Sequence, residues 1–200
     1  MSGAIAVGIF GLVTIASLGQ GLNAEDSVTN VGCLPLDNIT PLVPIVQLPA
    51  YLPEGYEYKC GIVEFGEANL LFWNQTLDRS TYEVDPINAA WDTPGSILIR
   101  VSERPSITDP SNQAEQEYRY IAENNPKLGV QLIEIAGNPA WANDISVNAG
   151  TQEAKFPDGE VIAKTYDMPA RIRIFESGKM IHIEGFVPLS ELKKVAESLQ

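Results

Sequence analysis

The sequence predicts an α+β fold, built on one antiparallel sheet with a mid-chain helix and a C-terminal helix. Three observations carry this. Arg171–Glu176 and Lys179–Val187 flank Ser177-Gly178, which reads as two alternating strands around a two-residue turn. Thr108-Asp109-Pro110-Ser111 has the makings of a helix start, with Asp109 as cap and Pro110 in the first turn. Leu189, Leu192, Val195, Ala196 and Leu199 form the apolar stripe of a closing helix.

Residues 1–24 carry no charged side chain, whereas all 13 Lys+Arg and all 26 Asp+Glu fall in Glu25–Gln200. The apolar run Ala4–Ala16 lies inside that uncharged stretch. It reads either as a signal peptide or as an N-terminal membrane anchor, since a spanning helix takes roughly 20 apolar residues. Either reading places the acidic remainder outside the cytoplasm, secreted or anchored to the outer side of the cell membrane. Membrane contact would then run only through residues 3–21, and only if they are retained.

Residues 25–46 read as a Pro-containing linker, with Pro35, Pro41 and Pro44 and no sustained period. Asn38-Ile39-Thr40 within it, and Asn74-Gln75-Thr76 further on, match the N-glycosylation acceptor pattern. Cys33 and Cys60 are the only two cysteines, and an isolated pair in an oxidising compartment is expected to bond. Such a bond would staple the leader to the domain. A net charge of −13 argues against nucleic acid and anionic membrane surfaces as partners, because both attract basic patches.

Residues 47–200 read as a single domain. Tyr56–Glu64 and Ala68–Trp73 are rich in aromatic and β-branched residues around Gly66-Glu67, the pattern of a type II′ hairpin. That register sets Ile62 against Leu71, Val63 against Leu70 and Cys60 against Trp73. Asp78–Pro94 is a polar excursion. Ser96–Ser102 alternates, with Ile97, Ile99 and Val101 on one face against Leu98 and Arg100 on the other. The mid-chain helix shows Ala114, Tyr118, Ile121 and Ala122 at helical spacing and ends at Asn124-Asn125-Pro126. Val130–Ile135 is a strand, Gly137–Trp141 is rich in turn residues, Thr151–Gly159 is a loop and Val161–Tyr166 a strand. The last hairpin pairs Ile174 with Ile181 and Ile172 with Ile183 on the core face. It sets Arg171 against Glu184 and Arg173 against His182 on the polar face. Ser190 is the expected cap of the closing helix.

Leu48-Pro49-Ala50-Tyr51-Leu52-Pro53-Glu54-Gly55-Tyr56 resembles the "YLPEGY" opening of an uncharacterised extracytoplasmic domain. Ile174–Gly185 is similar to that domain's final hairpin, and Leu189–Leu199, ending in "AESL", to its terminal helix. Such domains follow a membrane anchor in anti-sigma-type and lipoprotein-like proteins, and are distantly similar to lipoprotein-carrier folds. The resemblance implies a curved, half-barrel-like antiparallel sheet with helices on its concave side, and a sensing or binding role. It carries over no catalytic residue. His182 stands where that family more often has an aromatic residue.

Catalysis is not expected. His182 is the one histidine, Arg173 is set to face it, and no serine is marked as its nucleophile. Asp158-Gly159-Glu160 reads as an acidic turn, without the further spaced ligands of a calcium loop. No cofactor or metal motif is present in the sequence. Trp91 and Trp141, in turn-rich segments, are the candidate binding residues, while Trp73 reads as core. The expectation is a non-catalytic extracytoplasmic binding or sensing module for an apolar small molecule, lipid or protein segment. The alternative is a structural or accessory subunit of a cell-surface or membrane complex.

Overall fold

The computed structural model describes residues 30–74, 95–155 and 161–199. The uncharged stretch 1–24, the whole Asp78–Pro94 excursion with Trp91, Gln75-Thr76 of the second sequon and Asp158-Gly159-Glu160 lie outside the described residues. No helix among the described residues is long and apolar enough to cross a membrane.

The chain opens with β1 (Asn30–Leu34) and a short helix α1 (Leu36–Ile39), followed by β2 (Glu57–Glu64), β3 (Glu67–Trp73) and β4 (Ser96–Glu103). Helix α2 (Pro110–Asn124) leads through a 3-10 turn at Pro126–Leu128 to β5 (Gln131–Ile135), β6 (Asn138–Asn143), β7 (Ser146–Lys155) and β8 (Val161–Met168). Strands β9 (Ala170–Glu176) and β10 (Lys179–Gly185) precede α3 (Leu189–Glu197). One antiparallel sheet runs β1-β2-β3-β4-β10-β9-β6-β5, and β7 with β8 forms a separate ribbon. The large sheet has two ends and is not closed into a barrel. The α+β class, the antiparallel sheet and both helices stand as the sequence predicts.

The last hairpin has the expected register, with Ile174 opposite Ile181, Ile172 opposite Ile183, Arg171 opposite Glu184 and Arg173 opposite His182. The first hairpin differs. Its turn is Phe65-Gly66, both at positive φ (51° and 75°), so Glu64 pairs with Glu67, Ile62 with Asn69 and Cys60 with Leu71. Positive φ at both central residues is the type I′ geometry that matches strand twist. The slip relative to the predicted register is two residues, and an even slip keeps every side chain on its face. Three further segments also differ. Gly137–Trp141 is the end of a turn followed by strand β6, Pro139 being tolerated near its start. Strand β7 runs to Lys155 through what reads as loop. The segment expected as a linker over 25–46 belongs to the domain from Asn30 onward, with Ile39 and Val43 buried in the core.

The sheet has an apolar face and a polar one. On the apolar face Leu70, Ile97, Ile99, Ile172, Ile174, Ile181 and Ile183 pack beneath Leu189, Leu192, Val195 and Ala196 of α3 and beneath Ile39 and Val43. Side-chain links fasten the leader and α3 to the rest of the domain. The Cys33–Cys60 disulfide joins leader to β2 with a Cα–Cα distance of 5.1 Å. Tyr58 Oη donates to the Leu34 carbonyl at 2.6 Å, and Tyr51 Oη donates to Glu191 Oε2 at 2.6 Å. A Cβ at Gly61 would collide with Ile39 Cδ1 and Tyr58 Oη, so glycine is what lets the leader lie flat on β2. Ser190 is exposed and makes no cap. Asp144, from the loop after β6, accepts from the Leu189 amide at 3.1 Å in its place.

Candidate binding site

The polar face is built from rungs across adjacent strands. Registers β3–β4, β4–β10, β10–β9 and β9–β6 line up Asn69, Arg100, His182, Arg173 and Trp141 in one row. The next row holds Leu71, Leu98, Glu184, Arg171 and Asn143. Alternation alone puts these residues on one side of the sheet. Strand order then brings Arg100 and Arg173 to either side of His182.

Helix α2 closes part of this face. Asp109 Oδ1 accepts from the Asn112 amide at 3.1 Å, and Ala114, Tyr118 and Ile121 pack on Trp141, Phe175 and Met180. The approach to α2 is clamped to the last hairpin, since Arg104 N donates to Gly178 O at 2.7 Å and Gly178 N to Ile107 O at 2.9 Å. Glu117 on α2 is the hub. Its Oε2 accepts from Arg173 Nη1 at 2.8 Å and from Trp141 Nε1 at 3.2 Å, and its Oε1 from Gln113 at 3.2 Å.

Between helix and sheet lies a cavity of about 360 Å³ whose polar walls include Glu67, Arg100, Arg104, Glu117, Arg173 and His182, with Ile107 and Met180 as apolar neighbours. Arg100 Nε reaches Asn69 Oδ1 at 2.8 Å and Glu67 Oε1 at 3.2 Å. Arg104 Nη2 meets Glu67 Oε2 at 3.4 Å. Arg173 Nη2 donates to His182 Nδ1 at 3.2 Å, which makes Nδ1 the acceptor and puts the imidazole proton on Nε2. His182 Nε2 is buried and 3.5 Å from Glu184 Oε2, without a well-formed hydrogen bond. Arg173 Nε is likewise buried and unbonded within the protein.

The electrostatics follow from burial. The imidazole of His182 is held neutral, its pKa well below the usual range, first by burial and then by the charges of Arg173, Arg171 and Arg100. Burial raises Glu184, against the pull of Arg171, which it pairs with at 3.2 Å. A histidine that is neutral, 8% exposed and already accepting at Nδ1 offers no free lone pair to a substrate proton.

The candidates read from sequence fare unequally. Trp141 is 3% exposed and stands behind the cavity, its ring 5.2 Å from the Arg173 guanidinium, so it supports the lining without forming it. Trp91 lies outside the described residues, and Trp73 is core as expected. Cys33 and Cys60 are bonded, and Asn38 and Asn74 are both exposed. Arg173 and His182 come together as the hairpin pattern implies. Glu67, Arg100, Arg104 and Glu117 are the residues that sequence reading misses, because strand order, not local pattern, assembles them. The one local signal was Arg100 on the opposite face from Ile97, Ile99 and Val101.

A second cavity of about 530 Å³ lies by Ile45, Val46, Glu176 and Lys179, but its Lys179 is already paired with Glu176 at 2.7 Å. Among the described residues no three His, Cys, Asp or Glu side chains are grouped to hold a metal ion. Comparison with protein-family models, curated proteins and solved structures gives no match to this chain.

Proposed function

We propose that the chain is a non-catalytic binding or sensing module that works outside the cytoplasm and takes its ligand into the cavity between α2 and the polar face. The observation that carries this is convergence: charged side chains from β3, β4, β9, α2 and the loop before α2, with His182 from β10, meet around one space of about 360 Å³. A cavity of that volume with a few directed polar groups suits a small molecule. The Cys33–Cys60 disulfide supports the oxidising compartment that the uncharged leader suggests. An apolar ligand finds less support, since α1, the leader and α3 cover the described apolar face with the chain's own residues.

Side-chain NMR of the purified full chain against a mixed library of neutral and charged small molecules tests this reading. Saturable shifts at Arg100, Arg173 and His182 are expected for at least one compound class. Absence of any shift at those residues across the library would remove the cavity as a ligand site.

An accessory-subunit role has one observation in its favour. The β7–β8 ribbon exposes Val147 (70%) and Tyr166 (40%), apolar surface of the kind partners cover. Crosslinking on intact cells that recovers only monomers would count against it.

A further inference from the structure

Resting on that reading of the cavity, we infer that its ligand is a small organic monoanion, a carboxylate whose apolar body lies against Ile107 and Met180. Charge balance is the first argument. Three guanidinium groups, Arg100, Arg104 and Arg173, face two carboxylates, Glu67 and Glu117, while His182 is uncharged. Glu67 is divided between two of the arginines, 3.2 Å from Arg100 Nε and 3.4 Å from Arg104 Nη2. The neighbouring pair Arg171–Glu184, 3.2 Å apart, compensates itself. The cavity therefore keeps one positive charge in excess, inside a chain whose net charge is −13. Two of the three guanidiniums share one carboxylate, so an anion of unit charge that takes up the excess gains charge-assisted hydrogen bonds there.

Unmet hydrogen bonding is the second argument. Arg100 lines the cavity and engages Asn69 and Glu67 through Nε, and no contact among the described residues occupies its two terminal nitrogens. Guanidinium forks match the two oxygens of a carboxylate. Phosphate would bring about −1.5 to −2 charges, overshooting an excess of one. Volume is the third argument, for about 360 Å³ holds a small molecule and not a nucleic acid or a folded partner.

Calorimetry of the full chain with hexanoate, benzoate, hexanamide, benzamide and inorganic phosphate decides the matter, run on the native protein and on Arg104→Gln. Arg104 has a half-exposed side chain, so this variant is expected to fold, and its thermal midpoint verifies that. The expected result is carboxylate binding that weakens with added salt, and amides bound at least about tenfold more weakly. Arg104→Gln should weaken the carboxylates about tenfold and leave the amides unchanged. Amides bound as tightly as carboxylates, or carboxylate affinity untouched by Arg104→Gln, would overturn the anion while leaving the cavity as a ligand site. Phosphate bound more tightly than either carboxylate would overturn the monoanion. Absence of binding by every probe, with cavity resonances unmoved, would remove the site itself.

Discussion

Arg173 Nη2 donates to His182 Nδ1 across the last hairpin at 3.2 Å, so the chain's one histidine serves as a neutral acceptor beneath an arginine. This pair lies at the centre of the polar face. On one side it meets Arg100, on the other Trp141, and Glu117 of α2 holds Arg173 from above at 2.8 Å. The arrangement positions cations around a cavity, and its consequences can be measured.

The first consequence is pH dependence. Native His182 stays neutral well below 6.5, while the unfolded imidazole takes up a proton near 6.5. Below that pH the unfolded chain binds a proton that the native one lacks, so acidification lowers stability. Glu184, raised from 4.5 by burial, acts in the opposite sense as pH rises past 4.5, but it is common to native protein and variant. The groups facing His182 are Arg173, Arg171, Arg100 and Glu184. Urea unfolding from pH 7.5 to pH 4.5 should therefore show the native protein losing stability relative to His182→Asn, by up to about 1.4 kcal/mol per pH unit below 6.5. A stability difference that stays flat with pH would contradict the buried neutral imidazole.

The disulfide should hold the leader. With Cys33 and Cys60 separated by 27 positions in sequence, closing the loop contributes roughly 3 to 4 kcal/mol in the chain-entropy view. Reduction, or replacement of both cysteines by alanine, is expected to lower the urea midpoint accordingly, and reductant should not affect the double variant. An unchanged midpoint on reduction of the native protein would mean the leader is held by packing alone.

Helix α3 should depend on a distant aspartate and not on its own serine. Asp144→Ala removes the acceptor 3.1 Å from the Leu189 amide and should cost about 1 kcal/mol. Asp144→Asn keeps an oxygen in place and should cost less. Ser190→Ala should be near neutral. Thermal unfolding of the three variants checks the order, and a larger loss for Ser190→Ala would restore the local cap.

Close approach of leader and sheet makes Gly61 intolerant of a side chain. Gly61→Ala should cost about 1–3 kcal/mol through collision with Ile39 Cδ1 and Tyr58 Oη. Combined with Ile39→Ala, which frees that space, the loss should be clearly less than the sum of the two single losses. Strict additivity in denaturant titrations would show that the two residues do not share the space.

Much of the fold is legible in the sequence where local signals agree. Asp109 with Pro110 marks the start of α2, and alternation around Ser177-Gly178 sets the last hairpin residue for residue. The first hairpin was harder because Phe65, an exposed aromatic residue, adopts positive φ ahead of Gly66. Ile39 and Val43 are core residues in a proline-containing stretch without a period, so their burial comes from tertiary packing that no window reveals. The cavity was legible only as the Arg173–His182 pair. Arg100 and Glu67 join it because β4 lies between β3 and β10, and Glu117 because α2 folds over that face. Sequence pattern reports faces, whereas sites depend on neighbours.

In the proposed mode of binding the polar face receives the ligand, while the apolar face is filled by the chain itself. Side-chain NMR of the full chain, following the Arg100 and Arg173 Nε–H signals together with the Ile172 and Ile183 methyls during titration with hexanoate, tests both halves at once. Saturable shifts of the arginine signals with the isoleucine methyls unmoved are expected. Shifts of the isoleucine methyls while the arginine signals stay still would contradict that mode of binding.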